Sequence, residues 1–157
     1  MAAFPEPPSA TRRQLLAAGA GLVGWAVVRP AAAAPTELAA AIDAFAGGVP
    51  VRQGKVTLDV AALVDNGNNV PVTVSVESPM TAAEHVTTIA LFSERNPERD
   101  VARFQLTPRS GRASVSTGIR LATSQKLVAV ARMSDGSFWS KTVDVVVVLA
   151  ACIEGEG

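Results

Sequence analysis

The sequence predicts an all-β fold: an immunoglobulin-like antiparallel β-sandwich of about seven strands, with a short N-terminal helix and a mobile C-terminal tail. Runs rich in Val and Thr recur about every eight to twelve residues and end at Gly, Pro, Asn or Asp, which is typical of strands joined by tight turns. No helical pattern lies between these runs, which argues against a parallel sheet with helical crossovers. The chain has one cysteine, so packing rather than a disulfide must hold the sheets together.

The helix is predicted at the start of the mature domain. Thr36 is a suitable N-cap for residues 37–45, and Leu38, Ala41, Ile42 and Phe45 share one apolar face. Gly47 and Gly48 follow and favour the left-handed conformation that ends a helix.

The strands are predicted from alternation and from the turn residues between them. Val70–Glu77 alternates Val with Pro, Thr, Ser and Glu, which indicates one buried face. Ser134–Ser137 separates the last two strands and is a strong hairpin signal. The predicted strands are residues 55–63, 70–77, 86–93, 101–106, 113–119, 126–133 and 138–149, with a turn at Asp65–Asn69 after the first.

The last predicted strand, Phe138–Leu149, has an unusual second half. Its first half alternates polar and apolar residues, but Val145–Leu149 is apolar on both faces. Two interpretations remain open: a partner subunit covers the outer face, or the N-terminal helix does.

The size and charge of the chain limit its organisation and its ligands. A chain of 157 residues accommodates one domain, or one domain plus an appendage. Its 14 basic and 14 acidic residues balance, so nothing indicates nucleic-acid binding. No glycine-rich phosphate loop opens a helix, and a single histidine gives no support for a Ser-His-Asp triad. We therefore expect neither a nucleic-acid partner nor a cofactor.

Residues 1–33 have the features of a cleaved export signal. Arg12 and Arg13 precede an apolar run that reaches Val28, and alanines follow at residues 31–34. The adjacent arginines match the twin-arginine type, which predicts a periplasmic protein. The apolar run of about 14 residues is shorter than the ~20 that span a bilayer, although an uncleaved anchor is the alternative. Cleavage near Ala33 would remove three of the 14 basic and one of the 14 acidic residues, leaving a net charge of −2 and no membrane attachment.

We expect the mature domain to span residues 34–149 and residues 150–157 to form a C-terminal arm. The single cysteine, Cys152, lies three positions beyond Leu149, and only five residues follow it. So short a tail has too little apolar area to pack, so the thiol should be exposed and reactive. An unpaired cysteine in an exported protein indicates a reactive or intermolecular role. Glu154 and Glu156 should raise the pKa of the thiol above its usual ~8.5, so other proteins would have to activate it.

Eight short segments occur in a characteristic order: Gly54–Leu58, Asp65–Gly67, Val70–Val74, Ser78–Met80, Arg95–Pro97, Arg112–Ile119, Arg120–Gln125 and Asp135–Gly136. Together with the twin-arginine signal and the near-terminal Cys152, they resemble the SoxY family, the sulfur-carrier subunits of the periplasmic thiosulfate-oxidising (Sox) system.

The resemblance implies that the sandwich forms a heterodimer with a SoxZ-like subunit. It also implies that Cys152 attaches sulfur intermediates covalently, while Sox-type enzymes load, oxidise and hydrolyse them. The chain would then be a substrate carrier and not an enzyme. The arm around the attachment site would consist of Ala150, Ala151, Ile153, Glu154 and Gly155.

The arm departs from the family pattern, in which glycines lie on both sides of the cysteine. Ala151 and Ile153 are bulkier and stiffer than glycine, and the carboxylates oppose the approach of anions. We expect the standard Sox enzymes to act on this arm at different rates.

Two other functions are compatible with the residues alone. One is a binding module of the same fold whose cysteine only forms an intermolecular disulfide. The other is a metal-handling domain that uses Met80, His85 and Cys152, because thioether, imidazole and thiolate together can bind copper.

Overall fold

The computed structural model describes residues 36–150. The predicted export signal, residues 1–33, lies outside this range, as do Ala151, Cys152, Ile153, Glu154 and Gly155 of the arm. Within it the chain forms one α-helix and nine strands: α1 (Glu37–Ala46), β1 (Val51–Gln53), β2 (Val56–Asp59), β3 (Leu63–Asn66), β4 (Val70–Val76), β5 (Val86–Ser93), β6 (Asp100–Gln105), β7 (Ser114–Ile119), β8 (Gln125–Met133) and β9 (Phe138–Leu149).

The strands form two sheets that pack face to face. The larger sheet has the order β1-β9-β8-β5-β6, and β3 also pairs with β9. The smaller sheet has the order β2-β4-β7. The four valines of β4 fill the space between the sheets together with Ile89 and Leu91 of β5, and all six are at least 93% buried. The predicted β-sandwich is confirmed.

The structure differs from the prediction at two points in the segment before β4. The single strand predicted over residues 55–63 is wrong, because the chain changes sheets within it: β2 pairs with β4 in the smaller sheet, and β3 pairs with β9 in the larger. The predicted turn starts later than expected, at Gly67, because Asp65 and Asn66 still belong to β3.

The sandwich is also not purely antiparallel. β1 and β3 both pair with β9 in parallel, one at its beginning and one at its end. β1 was not predicted, since a strand of three residues is too short to show alternation.

Helix α1 forms as predicted and extends one residue further, to Ala46. The Thr36 hydroxyl accepts a hydrogen bond from the amide of Ala39 at 3.2 Å, and Gly47 ends the helix with a φ of 62°. The helix packs on the outer face of the larger sheet. The ring of Phe45 lies 5.7 Å from that of Phe92 and 5.6 Å from that of Phe138.

The helix covers only the first half of β9. Phe138 and Ser140 are buried, but Val146 and Val148 on the same face are 52% and 61% exposed. The interpretation that α1 covers the apolar second half is therefore wrong. A helix of 10 residues is about 15 Å long, whereas the 12 residues of β9 span about 36 Å. A covering partner remains a prediction.

Within residues 36–150, α1 falls short of the length that a membrane-crossing helix requires.

The aromatic contacts of Phe45 should carry most of the energy that docks α1. We expect Phe45→Ala to lower the free energy of unfolding by about 3 kcal/mol in urea titration, since a half-buried ring and its aromatic contacts are lost. Phe45→Leu keeps apolar volume and should lose about 1 kcal/mol. Equal losses for the two variants would contradict this account of the docking.

Candidate functional site

The predicted attachment residue Cys152 lies outside the described residues, but the place from which its arm departs is well defined. Ala150 is the last described residue and is exposed. The end of β9 beside it is hereafter called the arm root.

Exposed apolar side chains gather at the arm root. The larger apolar residues exposed within residues 36–150 are Val49, Leu63, Val146, Val148 and Leu149, and the last four lie here. Leu63 of β3 is directly opposite Val146 of β9, and Val148 follows on the same face. Leu149 faces the other side of the sheet, so Leu63, Val146 and Val148 form the arm-root patch.

The backbone of the arm root is fastened by two loops. The carbonyl of Leu149 accepts a hydrogen bond from the amide of Gly67 at 2.9 Å, and the carbonyl of Gly67 accepts one from the amide of Leu121 at 2.8 Å. On the other edge of β9, the amide of Val147 donates to the hydroxyl of Ser124 at 2.9 Å. The strand is thus fixed on both edges up to its last residues.

A buried asparagine holds these loops in place. The side-chain oxygen of Asn96 accepts hydrogen bonds from the amide of Ala122 and from Nε2 of Gln125, both at 2.9 Å. Its Nδ2 donates to the carbonyl of Arg120 at 2.7 Å. The Oε1 of Gln125 in turn accepts from the amide of Arg95 at 2.8 Å. Asn96 and Gln125 are both buried, and the hydrogen bond between their side chains is shielded from competing water.

Three segments that carried the family resemblance therefore meet at the arm root: Asp65–Gly67, Arg95–Pro97 and Arg120–Gln125. No role was predicted from the sequence for Asn96, Ser124 or Gln125. Their partners are backbone groups of loops far apart in the chain, and no periodicity indicates such contacts. The only signal was the polarity of these short loops between strands.

An ion pair borders the arm-root patch. Nζ of Lys126 lies 2.6 Å from the Asp144 carboxylate, and both side chains are exposed. The hydrogen bond to Asp144, with the charge of that carboxylate, raises the pKa of Lys126. The two charges offset each other, so this border carries little net charge.

The residues of the metal hypothesis lie at the other end of β9. Met80 is buried, and its sulfur accepts a hydrogen bond from the amide of Val86 at 3.4 Å. The amide of His85 donates to the hydroxyl of Ser134 at 3.1 Å, which fixes this loop to the hairpin where β9 begins. Among residues 36–150, no three His, Cys, Asp or Glu side chains gather as metal ligands would.

The length of β9 excludes a site made by Met80, His85 and Cys152 of one chain. The strand spans about 36 Å from the hairpin to the arm root. Cys152, three residues beyond Leu149, extends only about 10 Å further, so it cannot return to His85.

Comparison with known proteins gives a family match and a set of similar folds. The family model of the sulfur oxidation protein SoxY matches residues 42–152, which include Cys152. No curated protein matches the chain at a significant level.

Among solved structures, the sulfur carrier protein SoxY from Chlorobium limicola f thiosulfatophilum has a TM-score of 0.58 and 29% sequence identity, covering 69% of this chain and 93% of that one. Superoxide reductase (neelaredoxin) from Ignicoccus hospitalis has a TM-score of 0.53 at 21% identity, covering 60% and 80%. Superoxide reductase from Nanoarchaeum equitans has a TM-score of 0.52 at 12% identity, covering 61% and 100%. At these identities the superoxide reductases show a shared fold alone.

Asn96 should keep the backbone of the arm root in its folded position. We expect Asn96→Ala to lower the free energy of unfolding by about 2–3 kcal/mol, because it leaves the partners of a buried amide unpaired. Amide hydrogen exchange at Val147 should become faster as the loop that carries Ser124 loosens.

The matched control is Asn68→Ala, which removes the amide of an exposed turn residue and should change the stability by about 0.5 kcal/mol or less. If Asn96→Ala is no more destabilising than this control, the role given to Asn96 is incorrect.

Proposed function

The chain belongs to the SoxY family of sulfur oxidation proteins, and we propose that it is a covalent carrier that is loaded with sulfur intermediates on Cys152. The observation that carries the proposal is that the family match continues past the last strand and includes Cys152. The structure adds a rigid root for the arm that bears this thiol.

The chemistry of loading follows from the thiol. In reaction with thiosulfate, Cys152 loses its proton and forms a disulfide bond to the outer sulfur, which gives Cys–S–S–SO3−. Two electrons leave to an electron acceptor of the loading enzyme. Hydrolysis then consumes one water, releases sulfate and a proton, and leaves a persulfide on the arm. The carrier thus keeps one sulfur atom of thiosulfate as a persulfide, on which an oxidising enzyme can act next.

Other proteins must supply the catalysis in this scheme. The side chains that hold the arm root are those of Asn96, Ser124 and Gln125, and neither amides nor an ordinary hydroxyl act as general bases near neutral pH. In the nearest ion pair, the Lys126 ammonium group already binds the Asp144 carboxylate. This supports a carrier that presents its load to Sox-type loading, hydrolysing and oxidising enzymes.

The proposal includes a compartment and a partner. The twin-arginine motif at Arg12 and Arg13 supports export to the periplasm. Membership of the SoxY family supports assembly with a SoxZ-like subunit into a heterodimer.

The proposal is tested by the mass of the protein recovered from thiosulfate-grown cells. We expect adducts of thiosulfonate and persulfide mass on the peptide that contains Cys152, and we expect a thiol reductant to remove them. Cys152→Ser should show neither adduct and should retain the same thermal unfolding, because Cys152 lies beyond the last strand.

If Cys152 is found only as a free thiol under all growth conditions, the proposed carrier function is wrong. A wild-type protein found only as a disulfide-linked dimer, without sulfur adducts, would favour the binding module.

The composition of the arm gives a second prediction. We expect Ala151→Gly combined with Ile153→Gly to raise kcat/KM about tenfold with a hydrolysing enzyme whose own carrier has a glycine arm. Glycine removes the β-branched side chain and frees the backbone to enter a narrow channel. Initial rates on thiosulfonate-loaded carrier measure this.

The control is Glu154→Gln combined with Glu156→Gln, which changes charge but leaves the bulk in place. Its effect should vanish at high salt, whereas the glycine effect should persist. A glycine variant no faster than the parent would mean that bulk in the arm does not limit the enzyme.

A further inference from the structure

The arm-root patch is an unusual concentration of apolar surface. Within residues 36–150, three of the five larger apolar side chains that are exposed belong to it. Exposed apolar residues scattered singly are normal in a folded domain, but a contiguous group marks an interaction site. Leu63 and Val146 are cross-strand neighbours, and Val148 lies two residues further along β9 on the same face, so these three residues are contiguous.

The reach of the arm indicates what covers this patch. Cys152 lies three residues beyond Leu149, and a fully extended chain covers about 10 Å over that distance. Fraying of β9 does not lengthen the arm, since Val147 and Leu149 are held by Ser124 and Gly67. Any pocket that takes in the thiol therefore brings its rim to within about 10 Å of Leu149.

The chemistry and size of the patch indicate what kind of protein surface binds to it. The side chains are aliphatic, and the neighbouring Lys126–Asp144 pair is neutral in sum, so the complementary surface is apolar rather than charged. Three side chains provide far less than the about 800 Å² per partner of a stable interface. A small contact suits a partner that must dissociate after each turnover, and a permanent subunit here would obstruct the arm.

We propose that the arm-root patch is the seat for the apolar rim of the pocket through which a sulfur-processing enzyme receives Cys152. This inference rests on the carrier function proposed above. It assigns Leu63, Val146 and Val148 to recognition of the enzyme, while the arm carries the load.

The test is the double variant Val146→Thr/Val148→Thr, which keeps β-branched side chains in an exposed strand and so should leave folding intact. The substrate is thiosulfonate-loaded carrier, and the enzyme is the thiosulfonate hydrolase purified from the same organism. We expect KM for the carrier to rise about tenfold with kcat nearly unchanged, since two methyl groups no longer leave water on docking. The matched control is Val49→Thr, an exposed valine at 42% exposure outside the patch, which should leave KM unchanged.

Two further measurements separate the possible outcomes. Alkylation of Cys152 by iodoacetamide should be equally fast in all three proteins, so a KM effect does not come from a hidden thiol. An unchanged KM in the double variant, with wild-type carrier turned over normally, overturns the patch assignment alone. Loss of the SoxZ-like subunit on size exclusion would make the patch a subunit interface and also overturn it. Failure of the hydrolase to act on wild-type carrier would refute the carrier function itself.

Discussion

The structure depends on the fixation of β9 along both of its edges. β8 pairs with it over the first eight residues, and two short strands, β1 and β3, flank the other edge at its beginning and end. Side chains complete the fixation where the strand would otherwise fray, with Ser124 on one edge and the Asn96-supported loop behind it. Because hydrogen bonds hold the end of β9 on both edges, the sandwich sets the point at which the chain continues into the arm.

Much of this fold could be predicted from the sequence because alternation and turn residues report local structure. Residues 86–93 and 138–149 were predicted with the bounds that β5 and β9 have. The change of sheet between β2 and β3 was not, because residues 60–62 contain no Gly or Pro and the apolar run continues through them. Pairing between strands decides such a change, and pairing is a property of the whole sheet.

The functional region, too, could be predicted from the sequence only in part. The position of Cys152 near the chain end suggested its role, and the apolar second half of β9 suggested a covered surface. The sequence could not decide whether α1 covers that surface, which depends on how far a helix of 10 residues extends along a strand of 12. Asn96 was equally inaccessible to prediction, since its bonds join loops that only the tertiary fold brings together. One asparagine between strands looks the same in sequence whether it is a solvated turn residue or the centre of a network.

The likeness to superoxide reductases shows that this sandwich is not tied to one chemistry. Those proteins share the fold at 12–21% identity, and the function of a fold lies in the site built on it. In the function proposed above, that site is the arm beyond β9, and hydrogen bonds on both edges of β9 fix where the arm begins. A carrier must be bound by its enzymes and also released, so a large complementary surface would slow turnover by slowing dissociation. In the proposed carrier, the small apolar seat limits the affinity, and the fixed end of β9 restricts where the arm begins, so the thiol can be positioned without a large contact surface.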